Sequence, residues 1–324
     1  MSLSLICQLI MRIKQRCFPA NGHRLKIQRV DQHRVMQGLP RLLCLGVLTL
    51  TTSTLAIGET SVWQVRSGDN TVYLGGTVHL LRASDYPLPT EFEQAYAASS
   101  KVYFETDISA MNDMAVQVQM LQQLMYYDER SLKTVLNTEA YEALSAHTAK
   151  VGLPLMMLEK MKPGMVVSTL QVMEFQRMGF TPEGVDMHFN TKAVADGKAI
   201  GQFETLQEQI GFLAAMGEGD ESEFILVSLQ ELEETDTMMQ DMINAWRSGD
   251  AEALSDLFVA SMREEAPALY DSLLLSRNLR WLPEIEALLT DSPTEFVLVG
   301  AAHLVGEQGL LQLLASKGYA VSQL

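Results

Sequence analysis

Apolar positions along the chain keep two different rhythms. Residues 61–66 and 71–75 are β-type runs on either side of Ser67-Gly68-Asp69-Asn70, the pattern of a hairpin. Pro87 and Pro89 open a helical stretch to about residue 98, and a β-type run over residues 101–106 follows. Helical periodicity then dominates residues 112–195, broken at Gly152-Leu153-Pro154, Lys162-Pro163-Gly164 and Gly179-Phe180-Thr181-Pro182. A short β-type run at residues 199–203 interrupts it. Helices resume over residues 206–289, with breaks near Gly217-Glu218-Gly219 and Ser248-Gly249-Asp250. The last unit is a strand at 296–299, a helix and a strand at 319–321. No low-complexity linker divides this series, so it reads as one domain.

This order predicts an α/β fold. A small mixed sheet is formed by N- and C-terminal strand-helix-strand units, with a large helical insertion between them. Strand, helix and next strand form right-handed parallel crossovers. Such units carry functional residues just beyond the carboxyl ends of their strands. On this reading the strand at 101–106 lies directly beside the strand at 71–75.

Two of those strand ends read almost alike. Val72-Tyr73-Leu74-Gly75 leads into Gly76-Thr77-Val78-His79-Leu80, and Phe296-Val297-Leu298-Val299 into Gly300-Ala301-Ala302-His303-Leu304. Glycine permits a tight turn or a close backbone approach. Imidazole is both a metal ligand and an acid or base near neutral pH. The bland reading is two turn histidines bonded to backbone; the repetition favours two imidazoles delivered to one place. Residues after 56 include two more histidines, His147 and His188, and neither has this context.

Glu105 ends the strand after the first Gly-x-x-His unit, so it is the expected third member of a two-histidine, one-carboxylate set. Asp107 shares its face if the strand continues. Glu204 ends residues 199–203 in the same way and is the rival carboxylate, expected at the rim near Arg277. Arg277-Asn278 interrupts a Leu-rich helical region, and an inward arginine there needs a carboxylate or an anion as partner. Arg277 or Asn278 is a candidate to steady an oxyanion. Asp186 is either a support for a ligand or a helix cap. Glu307 is better explained by a helix dipole. Met238, Met239 and Met242 read as adaptable core or groove lining.

Charge and cysteines change the picture at the N-terminus. Residues 1–56 are rich in Lys and Arg and contain one acidic residue, Asp31, followed by an apolar run at 42–50 and small residues at 51–56. That is the layout of a secretory signal peptide. Its long basic lead allows a true start at Met36, and a retained amphipathic anchor is the alternative. The run is shorter than the roughly 20 residues of a membrane span. Cleavage is expected just before Ile57 or Gly58, leaving a domain over residues 57–324 that is periplasmic or secreted. Cys7, Cys17 and Cys44 all lie in the leader, so the remainder has no disulfide and no thiolate ligand. The net charge of −16 argues against nucleic-acid binding. There is no His-Glu-x-x-His, no Gly-x-Ser-x-Gly and no phosphate-binding loop.

Trp63-Gln64-Val65 and Tyr73-Leu74-Gly75-Gly76-Thr77-Val78-His79-Leu80-Leu81 resemble the TraB/GumN family, which includes the Tiki metalloproteases. So do Glu105, Gly184-Val185-Asp186, Gly197-Lys198, Phe203-Glu204-Thr205, Glu208-Gln209, Arg277-Asn278 and Val299-Gly300-Ala301-Ala302-His303-Leu304-Val305-Gly306. The resemblance implies a Tiki/ChaN-like fold and a metal-dependent protease. Carried over, His79, His303 and Glu105 become the metal or catalytic set, with manganese or cobalt favoured; the reading of the residues adds Glu204 as a rival metal ligand, zinc as a further ion, and Arg277 and Asn278 beside Glu105 as catalytic candidates. The expected partner is a peptide or protein substrate. The alternatives are a metal- or haem-binding protein without turnover and a peptide-binding interaction protein.

Overall fold

The computed structural model describes residues 60–232, 235–265, 267–290 and 293–324. The signal peptide expected over residues 1–56 and its cleavage site lie outside the described residues. Among the described residues there are eight strands: β1 (Val62–Ser67), β2 (Asn70–Thr77), β3 (Leu81–Arg82), β4 (Lys101–Phe104), β5 (Phe180–Thr181), β6 (Ala199–Gln202), β7 (Glu295–Gly300) and β8 (Ala320–Gln323). Six of them form one mixed sheet in the order β6-β4-β7-β2-β1-β8.

β1 and β2 are the expected hairpin, paired antiparallel with Val65 opposite Val72. β2, β7, β4 and β6 run parallel, and β8 closes the far edge antiparallel to β1. The expectation that β4 lies directly beside β2 is corrected: β7 separates them, bonded to both. Every residue of β7 is buried, as a central strand covered on both faces requires. The break expected at Gly179-Phe180-Thr181-Pro182 also holds a strand, β5, which pairs with β3 just past His79.

The helices used below are α1 (Thr90–Ala98), α2 (Met114–Leu124), α3 (Thr138–Lys150), α4 (Pro163–Arg177), α5 (Val185–Asp196), α6 (Leu206–Ala215), α7 (Glu221–Leu232), α8 (Thr235–Arg247), α9 (Ser276–Leu288), α10 (Ala301–Leu304) and α11 (Leu310–Ser316). Phe92 of α1, Phe189 of α5, Trp246 of α8 and Phe296 of β7 meet with ring centroids 5.7–6.3 Å apart and seal one face of the sheet. Aromatic groups of this size dominate the apolar surface a core removes from water. Met239 and Met242 belong to this main core. Leu124, Leu206 and Ile210 form a separate small cluster between α2 and α6. Among the described residues, no helix is long and apolar enough to cross a membrane.

Candidate active site

The four parallel strands end at the same edge of the sheet, and the turns beyond them carry the candidate residues. Near the end of β2, the Gly76 carbonyl accepts from Trp246 Nε1 at 2.7 Å and its N–H donates to Ser61 O at 2.7 Å. The Val78 carbonyl accepts from Val185 N at 2.9 Å, so the start of α5 is seated on the His79 turn. Gly184 makes this approach feasible, because a Cβ there would lie 2.2 Å from the His79 carbonyl carbon. Asp186, in the first turn of α5, then bonds His79 Nδ1 in a short contact. The opposite nitrogen, His79 Nε2, is buried and has no hydrogen-bond partner.

β4 and β6 extend their pairing past the last strand residues: Phe203 N donates to Phe104 O at 3.2 Å and Glu204 N to Glu105 O at 2.9 Å. The two rival glutamates are therefore neighbours. Glu204 is buried and contacts Arg277 as expected, yet it sits inside the network and not at a rim. Asp107 turns away, because β4 ends at Phe104 and its carboxylate accepts from Ala110 N.

Arg277 of α9 is the hub. It is 1 % exposed, and each of its N–H groups has a partner. Nε donates to Glu204 at 3.0 Å, and Nη2 donates to Glu204 and, at 2.6 Å, to Glu105. Nη1 donates to Leu273 O at 3.1 Å and to His303 Nε2 at 3.1 Å. A guanidinium has five N–H donors, and all five are engaged, so none is left for an oxyanion in this arrangement. Asn278, the next residue, accepts from His303 Nδ1 at 2.7 Å and donates to Gln308 O at 2.9 Å. These bonds fix the His303 tautomer, with the proton on Nδ1. Trp281, one turn on, packs against both: its ring lies 4.5 Å from the His303 ring and 4.7 Å from the Arg277 guanidinium.

Gly300, the last residue of β7, is where the two histidines and Glu105 meet. Its N–H donates to Glu105 Oε1 at 2.7 Å. A Cβ on it would lie 3.1 Å from that oxygen and 3.7 Å from both His79 Nε2 and His303 Cδ2. The repeated Gly-x-x-His units thus bring both rings to one place, around a glycine with no side chain in the way.

The electrostatics divide the pair. Burial and the Arg277 charge push the His303 pKa down to about 3, so that ring is neutral. Burial also works against charge on His79, but Asp186 and then Glu105 outweigh it and raise its pKa. Glu105 is buried too, yet the Arg277 charge, with His79 and the Gly300 N–H behind it, holds it at about 2. For Glu204, burial outweighs Arg277 and raises its pKa.

A divalent ion suits the His79 end of this site. There an unpartnered imidazole nitrogen, with a carboxylate behind its other nitrogen, faces the Glu105 side of Gly300. The His303 end is closed by Arg277, and Glu204 is bonded along both oxygens. Among the described residues, no three or more His, Asp or Glu stand together ready to hold an ion. His188 lies outside the site, 3.4 Å from Glu93, and Glu307 pairs with Arg263.

Two contributors were given no role from sequence, although Glu208-Gln209 belongs to the family resemblance. Gln209 of α6 donates to Glu204 at 2.9 Å and to Glu105 at 3.4 Å. The Thr106 hydroxyl is buried without a partner in the pocket that His79, Glu105 and Asp186 line. A buried glutamine one turn inside a capped helix start was the available signal for the first.

Comparison with known proteins sets this geometry in a family. No curated protein and no solved structure matches the chain significantly. The profile of the TraB/PrgY/gumN family matches residues 61–323, which is nearly all of the described chain, and the protein belongs to that family.

Proposed function

We propose that the protein is an exported, periplasmic or secreted, metal-dependent hydrolase of the Tiki-like kind, acting on peptide bonds. The observation that carries this reading is His79 Nε2, buried and unpartnered beside an excess of carboxylate charge. Glu105, Glu204 and Asp186 are three buried carboxylates beside one buried guanidinium, Arg277, and the half-exposed Arg280 lies 3.5 Å from Glu204. A buried charge excess of this kind calls for a cation. His79 and Glu105 would hold it, and His303 would join them once Arg277 releases Nε2. A bound divalent ion lowers the pKa of water and polarises a carbonyl.

The chain's own residues set the stage for that chemistry. Asp186 fixes the His79 ring and makes its free nitrogen more basic. Gly300 and Arg277 hold the two Glu105 oxygens, and Asn278 sets the His303 tautomer. Glu105 is the general base or a ligand, and Arg277 positions it. A second reading, hydrolysis with His79 and Asp186 as the acid–base pair and no metal, is favoured by the absence of a ready three-ligand group among the described residues. The pocket at His79 holds about 110 Å³, which gives a haem no room in this arrangement.

The test is metal content and turnover together. Purified protein is assayed against a mixed peptide library before and after chelation, alongside His79→Gln. Loss of cleavage on chelation, with recovery on adding Mn²⁺, Co²⁺ or Zn²⁺, supports the first reading. Cleavage that survives chelation but not His79→Gln supports the second. No cleavage under any condition overturns both.

A further inference from the structure

A second cavity, about 350 Å³, opens between α2, α4 and α6. That lies within the size range of small ligand sites, roughly 300–1,000 Å³. Its walls include Met120 and Leu124 of α2, Met165 and Met173 of α4, and Ile210 of α6. No charged residue lines it. Its two hydroxyls are turned onto their own helix: Ser168 donates to Gly164 O at 2.7 Å and Thr169 to Met165 O at 2.8 Å. Gln209 is the polar residue that remains, and it lines both this groove and the His79 pocket. The groove therefore ends one side chain away from Glu105, which the Gln209 amide touches.

The geometry points to this groove as the specificity subsite of the hydrolase: it takes a long apolar side chain next to the scissile peptide bond. This rests on the peptidase reading above and names the residue class it selects. Gln209 is the wall the two spaces share, so a peptide seated at His79 has the groove one side chain away for a neighbouring residue. The chemistry changes along that path. The His79 end offers the unpartnered Thr106 hydroxyl and the free imidazole, suited to a peptide amide. Beyond Gln209 and two hydroxyls turned onto their own helix, the groove offers thioether and hydrocarbon. Three methionines give it walls that adapt to leucine, methionine or phenylalanine. An acidic side chain is disfavoured twice, by the apolar lining and by the net charge of −16.

The experiment separates binding from turnover. The probes are fluorescein-labelled pentapeptides, alanine throughout except for a central alanine, leucine, methionine, phenylalanine or aspartate. Binding is read by fluorescence polarisation on His79→Gln protein, and cleavage on wild type. Expected are roughly tenfold or greater preferences for the large apolar residues over alanine, with aspartate weakest. Val172→Trp, which places an indole in the groove, should erase the preference. Leu121→Trp, on the exposed face of α2, should leave it intact. Equal binding of all five peptides overturns the proposal, as does a preference that survives Val172→Trp in protein with an unchanged melting curve. Palmitate that binds in the groove while no peptide does also overturns it. Selective binding without any cleavage keeps the subsite and removes the peptidase reading; unselective cleavage does the reverse.

Discussion

Arg277 and His303 are joined by a hydrogen bond of 3.1 Å in which the guanidinium donates to the ring nitrogen that faces the site. A cation made of protein thus stands against one of the two signature histidines, and it also bridges Glu105 and Glu204. Replacing Arg277 by Met removes the buried charge that two buried carboxylates share. The expected cost is about 3–5 kcal/mol, because charges remain buried without compensation. Arg277→Lys should recover only part of it, since one ammonium cannot make the forked contacts. Urea denaturation of the three proteins measures this, and a Met variant as stable as wild type would show that the network contributes nothing net.

Gly300→Ala tests the meeting point directly. The backbone there, φ −49° and ψ 135°, is open to any residue, so the fold should survive. The new methyl would sit 3.1 Å from Glu105 Oε1 and 3.7 Å from His79 Nε2. Metal content and hydrolysis should both fall to background while the melting temperature moves by only a few degrees. An active Gly300→Ala protein would place the chemistry elsewhere.

Asp186→Asn keeps the shape of the contact to His79 and removes its charge. Metal affinity or activity should drop about 10–100-fold, the usual cost of losing the group behind a ligand histidine. Isothermal titration with Zn²⁺ reads the affinity. Unchanged affinity would reduce Asp186 to a helix-start residue of α5.

The paired variants Glu105→Gln and Glu204→Gln separate the two carboxylates. Glu105 bonds Gly300 at the meeting point, whereas Glu204 faces Arg277 along both oxygens. Glu105→Gln should therefore abolish metal binding and turnover. Glu204→Gln should mainly lower stability and leave metal content intact. The reverse outcome assigns the chemistry to Glu204.

His303 gives the metal-free protein an acid limit. Its pKa is about 3 in the folded protein against an ordinary 6.5, so the unfolded chain binds the extra proton between those values. Its contribution is full above pH 6.5 and is lost as pH falls toward 3. Glu105, held at about 2, adds a loss of the same sign below pH 4.5. His79, with a raised pKa, works the other way. Stability by urea titration at pH 7, 5.5 and 4 should fall in wild type and fall less in His303→Gln. Parallel slopes in the two proteins would contradict a neutral His303.

Much of the site was legible because its signals are local. A glycine followed three residues later by histidine, twice, marks the two turns, and a carboxylate closing a short apolar run marks Glu105 and Glu204. Spatial order is not local. Nothing in residues 62–104 says that β7 will separate β2 from β4; that depends on which strands bury most surface together. The two-residue strands β3 and β5 are too short to carry a period. Trp281 reads as an ordinary helical residue and Gln209 only as part of the family resemblance, and the fold alone turns them toward His303 and Glu105. Arg277 was legible as a buried cation seeking carboxylates. That its donors would be divided among two carboxylates, the Leu273 carbonyl and His303 was not, since this depends on the meeting of separate elements.

The place of β7 in the sheet also has a meaning in time. It is the strand that bonds both β2 and β4, yet every strand except β8 precedes it in the chain. During synthesis, β2 and β4 must wait for a partner that arrives some 190 residues after β4, a loop closure of high sequence separation. Gly300, His303 and the partners of Glu105 arrive with it. A growing chain therefore carries no assembled centre, and the candidate site comes together in one late step, when β7 arrives.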